Sequence, residues 1–511
     1  MADPNRSGGG LVVPRPSGHS GRGRTAPLVI GTVLAAIGLM LTIFGAVAAL
    51  VGEPAAGYAL GAVIGIGSGL ALRAWGRPGS PENRRGEPTR REALVALLTS
   101  WALVPALGAL PFVGAGVLGP LDAYFESMSG FTTTGATMIT DFSAVGPVLF
   151  MWRAFTQWIG GIGIIVLFVG LFPQLAIAGR QLFFAEAPGP TEERLTPRLR
   201  HTAFALLAVY GALTAACVLA YDLAVMRTYD AVAHAFTTMA AGGFSPHARS
   251  FEGMAPALMW VAVVFMLFAG SNFALLYRGL AGRSWAILHD VELRSYLVVA
   301  AAVSAAVALL LAADGMGLAE ASRHGAFQVV SILTSTGYAS VDFAAWSERS
   351  QALLLLVAFI GGSAGSAAGG VKVVRWVILV QHTSREVRRT MHPRAVLPVR
   401  VGSRVVPEDV QRSVAAFITL YLSLFALTTV ALVLLGEDFV TAFSATIACL
   451  GNIGPGLAGV GPMANFSELH PLSKGLLTFA MYAGRLEVVT VFSLLTRAWW
   501  RRARYDRGFR G

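Results

Sequence analysis

Hydrophobic runs dominate this chain, and their lengths alternate. A helix needs about 20 apolar residues to cross the bilayer core. Runs of that size lie near residues 26–52, 56–76, 93–114, 146–172, 199–223, 255–278, 290–313, 351–380, 411–435 and 471–497, and each predicts a spanning helix. Shorter runs near 119–131, 229–240, 324–334 and 438–449 fall between long ones and end in turn residues. Half the spanning length predicts re-entrant helices. After two ordinary long helices the order is long–short–long, four times over, which reads as an internal repeat.

The short runs lead into small-residue turns. The first is Gly130-Phe-Thr-Thr-Thr-Gly-Ala136, and comparable turns follow at 236–244, 331–338 and 443–455. Aligning Gly135, Gly243, Gly337 and Gly454 gives separations of 108, 94 and 117 residues, loose in length but regular in plan. Non-helical backbone at membrane depth is tolerated only when buried in protein or lining a water-filled path. Four such loops around one axis would present a ring of carbonyls able to replace the hydration shell of an alkali cation. Glycine relieves the backbone cost of that shape. Neighbouring Thr or Ser hydroxyls add oxygens, and each short helix would aim its partially negative C-terminal end at the ion. The candidate ion-binding residues are Thr133, Thr134 and Gly135; Ala241, Gly242 and Gly243; Ser335, Thr336 and Gly337; and Asn452, Ile453 and Gly454. Small residues in membrane helices are otherwise packing surfaces, but four in one structural position are hard to explain that way.

Composition narrows the class. Of the 511 residues, 55% are hydrophobic and only 13% charged, against about 25% charged in soluble proteins. A soluble enzyme is excluded. The net charge of +11 is carried almost wholly by arginine, Lys372 and Lys474 being the only lysines. Arg73, Arg77, Arg84, Arg85, Arg180, Arg194, Arg278, Arg283, Arg385, Arg388, Arg389 and the tail arginines fall on one side of a ten-helix drawing. The positive-inside rule makes that side, with both termini, cytoplasmic. The basicity is then a topology signal, and no nucleic-acid partner is expected. The opposite loops carry Asp122, Glu126, Asp141, Asp230, Glu252, Asp438 and other acids. They would either concentrate cations at an outer mouth or simply complete the charge bias. Cys217 and Cys449 lie in apolar stretches, which argues against a disulfide framework or a metal site. Residues 1–25 read as a disordered tail.

Two further features stand out. Gly361-Gly-Ser-Ala-Gly-Ser-Ala-Ala-Gly-Gly370 interrupts a stretch from 351 to 382. As one helix that stretch would be about 48 Å long, against a hydrocarbon core of about 30 Å. Gly361, Gly362, Gly365, Gly369 and Gly370 should break it. The alternative is close helix packing. A broken segment below the ring could obstruct the path and move, with Lys372 snorkelling inward. Arg485 lies near the middle of the last long run. An intramembrane Arg faces the interior or a cavity, where it would act as a barrier to cations, or it pairs with an acid on a neighbouring helix. Glu487 is a poor partner, because positions i and i+2 do not share a helix face. His234, His247 and His324 read as capping or packing residues.

Ser129-Gly-Phe-Thr-Thr-Thr-Gly-Ala-Thr137, Gln157-Trp-Ile-Gly-Gly-Ile-Gly-Ile-Ile165, Ala185-Glu-Ala-Pro-Gly-Pro190, Leu195-Thr-Pro197, Gly242-Gly-Phe-Ser245, Asn452-Ile-Gly-Pro-Gly456 and Gly484-Arg-Leu-Glu487 together resemble the Trk/Ktr/HKT superfamily of potassium uptake proteins, and most closely the bacterial TrkH/TrkG membrane subunits. The resemblance implies an all-α integral membrane fold with four M1–P–M2 pore repeats in pseudo-fourfold arrangement, preceded by two N-terminal transmembrane helices. The divisions would be 26–92 for the extra helices and a basic loop, 93–180, 181–283, 284–400 and 401–500 for the repeats, and 501–511 for a basic cytoplasmic tail. It implies that Gly135, Gly243, Gly337 and Gly454 are filter glycines, and glycine at all four resembles the potassium-selective members. It implies that the 361–370 loop gates the third M2 helix and that Arg485 sits by the pore. It also implies a bacterial inner-membrane location, a homodimer, and a cytosolic nucleotide-binding regulatory ring (TrkA-like), for which the basic loop 383–412 is a plausible dock. The fourth repeat departs slightly, with Cys449-Leu-Gly451 where a more polar run is expected. No Walker A, Rossmann or catalytic cluster is present, so neither an enzyme nor an organic cofactor is expected; K⁺ is the transported ion. The competing reading is a K⁺ symporter coupled to H⁺ or Na⁺ by alternating access. That needs a midplane side-chain site, and Glu487 is nearly alone as a buried acid.

Overall fold

The computed structural model describes residues 25–76, 90–170, 195–282, 289–402 and 404–493. The expected N-terminal tail, most of the first basic loop, the 185–190 motif and the C-terminal tail lie outside the described residues.

The chain is a helical membrane protein. Six described helices are long and apolar enough to span on their own: Thr25–Val51, Ala56–Gly76, Arg91–Gly114, Ala203–Leu223, Val291–Ala313 and Glu408–Leu434. α1 (Thr25–Val51) and α2 (Ala56–Gly76) pack through small residues. A methyl group built on Gly65 would lie 3.0 Å from the Gly38 Cα, the close backbone approach that membrane helices favour. Leu39, Leu50 and Val63 on this pair are exposed, as lipid-facing side chains should be.

The remainder forms four long–short–long units. They are α3 (Arg90–Gly114), α4 (Pro120–Phe131) and α5 (Pro147–Gly170); α6 (Leu195–Leu223), α7 (Thr228–Met239), α8 (Pro256–Ala269) and α9 (Phe273–Gly282); α10 (Val291–Ala313), α11 (Leu318–Leu333), α12 (Glu348–Ala358) and α13 (Val373–Met391); and α14 (Glu408–Leu434), α15 (Phe439–Leu450), α16 (Pro471–Arg485) and α17 (Val488–Ser493). The helix after each short helix packs on the short helix of the next unit: α5 on α7, α8 on α11, α12 on α15, and α16 back on α4. The units therefore close on themselves. A two-stranded hairpin, β1 (Arg400–Val401) and β2 (Arg404–Val405), follows α13.

Three of the long runs are not continuous helices, and of these only the 351–380 run was expected to break. The 255–278 run bends by 100° between α8 and α9. Gly270 caps the first helix, and the Asn272 carboxamide oxygen accepts the Ala274 and Leu275 N–H groups to start the second. The 351–380 run leaves the helix between Ala358 and Val373. The 471–497 run stops at Arg485, and Glu487 takes φ +65°. Arg485 thus ends a helix instead of lying within one. The third short helix is also longer than expected, starting at Leu318, because the polar first turn Leu318–Ser322 is outside the apolar run that marked it.

Aromatic packing ties the extra helices to the first unit. Trp152 is fully buried, its indole N–H donates to the Gly108 carbonyl, and it makes edge contacts with Phe44, Tyr58 and Phe131. The fourth short helix begins with Asp438, whose carboxylate accepts the N–H groups of Val440 and Thr441. The Thr441 hydroxyl, then those backbone donors, hold its carboxyl below the usual range. Asp438→Ala is expected to cost about 1 kcal/mol, read as a lower melting temperature of the detergent-solubilised protein. The sign follows from the depressed pKa: the deficit against wild type should shrink as pH falls through the folded-state pKa, where the wild-type carboxylate is itself protonated. A deficit unchanged at acidic pH would mean the cap contributes nothing through its charge.

Candidate functional site

All four short helices end in the same way. Thr133, Ala241, Ser335 and Asn452 have φ of 52°, 52°, 54° and 53°, and Gly135, Gly243, Gly337 and Gly454 have φ of 89°, 75°, 81° and 103°. The residue between each pair stays at negative φ. In the first unit the Thr133 N–H donates to the Gly130 carbonyl at 2.9 Å and the Thr134 N–H to Ser129 at 2.8 Å. The corresponding donors are Ala241 and Gly242, Ser335 and Thr336, and Asn452 and Ile453. This pairing is the Schellman helix ending, usually built on glycine. Four non-glycine residues hold the left-handed conformation here, at about 1–2 kcal/mol each. Such strain persists where the surroundings over-determine it, and it clusters at functional sites. The fourth loop, whose register its sequence obscured, has the same φ pattern and bonds as the others.

The glycines meet in a circuit. A methyl group on Gly135 would collide with the Gly242 carbonyl, one on Gly243 with that of Thr336, and one on Gly337 with that of Ile453. One on Gly454 would lie 2.7 Å from the Thr134 carbonyl oxygen. Each glycine therefore abuts the carbonyl just before the next unit's glycine, and the fourth returns to the first.

Side chains behind the loops hold them. Gln157 of α5 donates to the Gly242 carbonyl at 2.6 Å and accepts the Phe244 N–H at 3.1 Å. The Gly242 oxygen keeps its second lone pair. The Asn452 amide bridges the Thr134 hydroxyl and the Met481 carbonyl, both at 3.0 Å. Tyr338 reaches back from the third loop to the Thr237 and Thr238 hydroxyls. In α5, Gly160 lies against the Phe131 carbonyl at the end of α4, and in α16, Gly484 lies likewise against that of Leu450. These contacts give a physical reason for the Gln157–Ile165 and Gly484–Glu487 motifs.

The glycine-rich segment, residues 359–372, is largely buried and packs against the third and fourth loops. The Gly369 N–H donates to the Ser335 hydroxyl at 2.5 Å. The segment also pairs with the bend after α8: Ser363 N–H to Gly270 carbonyl at 2.8 Å, Ala367 N–H to Ala269 carbonyl at 3.1 Å, and Phe273 N–H to Gly365 carbonyl at 3.1 Å. Two breaks in two helices satisfy each other's backbone groups, as the interior of a membrane requires. Gly361 and Gly370 face each other closely, and neither has room for a side chain. Arg485, 3% exposed, donates to the Ala367 carbonyl at 2.9 Å and to the Gly160 carbonyl at 3.3 Å. It joins the segment to the first unit. Lys372 is buried at φ 77°, and its ammonium donates to the Ala368 carbonyl at 2.5 Å; it turns onto the segment itself.

Several residues that matter here were not singled out from the sequence. Arg375 of α13 is one: it pairs at 2.5 Å with Glu487, the acid the sequence did mark as buried, and its guanidinium lies 3.9 Å from the centre of the Phe417 ring. Glu292 of α10 accepts the Ala364 N–H at 2.6 Å. The bend at Gly270-Ser271-Asn272 was legible as a glycine stop followed by an Asn cap, but apolar flanks hid it.

The acidic loops are also less open than expected. Glu126 is not at the mouth: it is fully buried and paired with Arg153 at 2.6 Å. Asp122 binds Lys474 at 2.7 Å. Asp141 is held below the ordinary carboxylate value by the Ser143 hydroxyl, and Glu252 by Arg249. Both are therefore ionised at neutral pH. The three histidines bond locally: His234 Nδ1 to the Asp230 carbonyl and Nε2 to the Ser245 hydroxyl, His324 Nδ1 to the Ser340 hydroxyl, and His247 beside Asp230 at 3.5 Å.

A family model described as TrkH, cation transport protein, matches residues 82–499. The chain is 38% identical over 453 residues to the Trk system potassium uptake protein TrkH of Halomonas elongata, covering 87% of this chain and 92% of that protein. It is 37% identical over 424 residues to TrkH of Escherichia coli strain K12, covering 82% and 87%. It is 36% identical over 417 residues to TrkG of the same strain, covering 80% and 86%. The crystal structure of the potassium transporter TrkH from Vibrio parahaemolyticus superposes with a TM-score of 0.84 at 33% identity, covering 93% of this chain and 99% of that one.

Proposed function

The chain belongs to the TrkH family of cation transport proteins, and from that premise we propose that it conducts K⁺ through a filter made by its four glycine loops, gated from below by the 359–372 segment and Arg485. It is a multi-pass membrane subunit of Trk-type potassium uptake. The filter reading rests on one observation above all: each loop glycine abuts the carbonyl that precedes the next, in a closed circuit of four. A ring of carbonyls can exchange for the water around an alkali cation.

In this mechanism K⁺ enters past ionised outer carboxylates such as Asp141 and Glu252, loses water among the carbonyls of 133–135, 241–243, 335–337 and 452–454, and meets the glycine-rich segment. The hydrogen bond from Gly369 to Ser335 joins that segment to the third loop. The bond from Arg485 to Ala367 holds the segment under the path and adds a fixed positive charge. Passage then requires the segment to leave. The loops and the segment contain no carboxylate of their own, and the acid against the segment is Glu292 of α10, which accepts the Ala364 N–H; uptake that needs no proton or Na⁺ gradient separates conduction from coupled alternating access. The basic residues of α13 and the hairpin that follows, Arg385, Arg388, Arg389, Arg400 and Arg404, form the surface we assign to a cytosolic regulatory ring. A homodimer in a bacterial inner membrane, with cytoplasmic termini, completes the reading.

The test is ⁸⁶Rb⁺ uptake into proteoliposomes, with K⁺ or Na⁺ as competitor, for wild type and Gly135→Ser. Wild-type uptake is expected to be blocked by K⁺ and insensitive to Na⁺. The serine hydroxymethyl would press on the Gly242 carbonyl, so the variant should lose discrimination. Robust flux with unchanged selectivity in the variant removes Gly135 from the filter.

A further inference from the structure

We propose that Glu126 and Arg153 form a positioning pair that sets ion selectivity at the junction of the first and second loops. This rests on the filter reading above. Neither residue is among the filter or gate residues, and Glu126 is not a mouth acid.

The pair is built with many contacts. The Glu126 carboxylate accepts the Arg153 Nε–H at 2.6 Å, the Met138 N–H at 2.6 Å and the Thr137 hydroxyl at 3.2 Å. Arg153 spends a second donor on the Ser245 carbonyl at 3.0 Å. Its guanidinium carbon lies 3.5 Å from the centre of the Phe244 ring, a stacking distance for a cation on an aromatic face. Glu126 is 0% and Arg153 3% exposed. Carboxylate and guanidinium thus join the strand leaving Gly135 to the strand leaving Gly243.

The position is equivalent in all units but its chemistry is not. Glu126, His234, Gln328 and Ala445 each lie nine residues before their loop glycine. Glu126 accepts the Met138 N–H, and Gln328 accepts the Ser340 N–H at 3.0 Å, each three residues past its glycine. In the second unit that place is Pro246, which has no N–H, and His234 bonds the Ser245 hydroxyl at 3.0 Å instead. In the fourth, Ala445 cannot bond, and the neighbouring Ser444 hydroxyl accepts the Leu457 N–H at 2.8 Å. Four unlike side chains therefore clamp four outgoing strands. Only the first clamp is a carboxylate paired with a guanidinium.

A buried ion pair is a poor stabiliser, since desolvating two charges offsets their attraction. Its use is geometric. The planar guanidinium fork fixes direction as well as distance, and a carbonyl ring discriminates between ions through the placement of its oxygens. The Gly242 carbonyl, held from behind by Gln157, lies two residues before the Phe244 that carries the guanidinium.

The test uses the full chain in proteoliposomes and reads the Na⁺ and K⁺ concentrations that halve ⁸⁶Rb⁺ uptake, for wild type, Glu126→Gln and Arg153→Lys. Glu126→Gln keeps an acceptor for Met138 and removes the charge. Arg153→Lys keeps the charge but cannot serve Glu126 and Ser245 with one planar group. In both, the Na⁺ excess needed relative to K⁺ should fall by roughly three- to thirtyfold, while the melting temperature of Arg153→Lys stays near wild type. A purely structural role would scale flux with the amount of folded protein and leave the Na⁺-to-K⁺ ratio alone; that outcome overturns the proposal. Should Glu126→Gln fail to fold, Arg153→Lys decides. Should both fail, Phe244→Leu, which keeps both charges and removes the ring, carries the same expectation. A wild type that does not discriminate between the ions defeats the filter reading itself, whereas a discriminating wild type with unchanged variants defeats only the pair.

Discussion

⁸⁶Rb⁺ uptake by the Gly337→Ala variant is expected to fall to the background of empty vesicles. Gly337 has φ +81°, and a methyl group there would overlap the Ile453 carbonyl oxygen, 2.9 Å from the Pro455 Cδ and 3.0 Å from the Ile453 carbonyl carbon. Those neighbours are backbone and a proline ring, so no flexible side chain can give way. The left-handed conformation costs alanine about 1–2 kcal/mol, and overpacking adds about 1–3 kcal/mol. The third and fourth loops would have to part, which opens the proposed ring where it must fit a dehydrated ion. Gly315→Ala is the control. Gly315 also has positive φ, +100°, but nothing lies within 4 Å of the added methyl. It carries the strain without the collision and should conduct like wild type. If Gly337→Ala keeps wild-type flux and selectivity, the third loop is not part of the filter.

The second large effect is a gain. Arg485→Ala is expected to raise unstimulated ⁸⁶Rb⁺ flux about thirtyfold. Two unit charges about 8 Å apart at an effective dielectric of about 20 interact by about 2 kcal/mol, or roughly thirtyfold in rate, and that is the scale expected of a guanidinium beside the path. The substitution also leaves the Ala367 carbonyl without the donor that holds the segment to α16. Arg485→Lys keeps the charge but cannot reach both Ala367 and Gly160, so it should show a smaller rise. The readout is initial uptake rate per folded protein, with Na⁺ competition unchanged because the loops are untouched. A folded Arg485→Ala protein that conducts no faster than wild type would remove Arg485 from the gate.

Much of this architecture was legible in advance because membrane insertion leaves a simple mark. A spanning helix must be long and apolar, a half-length run cannot span, and glycine in a short turn betrays backbone that is not helical. The long–short–long order, the four glycine positions and the interruption at 361–370 follow from those constraints. Two runs, 255–278 and 471–497, were nevertheless misread as continuous helices. The breaks at 270–272 and 486–487 are flanked by apolar stretches, and their partners lie far along the chain: the Gly270 and Ala269 carbonyls accept N–H groups of the 359–372 segment, and the Glu487 carboxylate pairs with Arg375. Hydropathy measures burial, not whether burial is achieved by a straight helix.

The buried charges were the least legible. Glu126 looked like one more acid near a loop, and Arg153 sat unremarked in an apolar run. What distinguishes them is that α4 and α5 bring them together behind the second loop. Residue identity alone gave the membrane class, the long–short–long order, the positions of the loop glycines and the family resemblance, because each depends on local length, polarity or backbone freedom. Only the tertiary structure decided which carbonyl each glycine touches, which break closes on which, and which charges are paired. Those are contacts between residues up to hundreds of positions apart, formed when the units close on one another, and no local property of the chain encodes their partners.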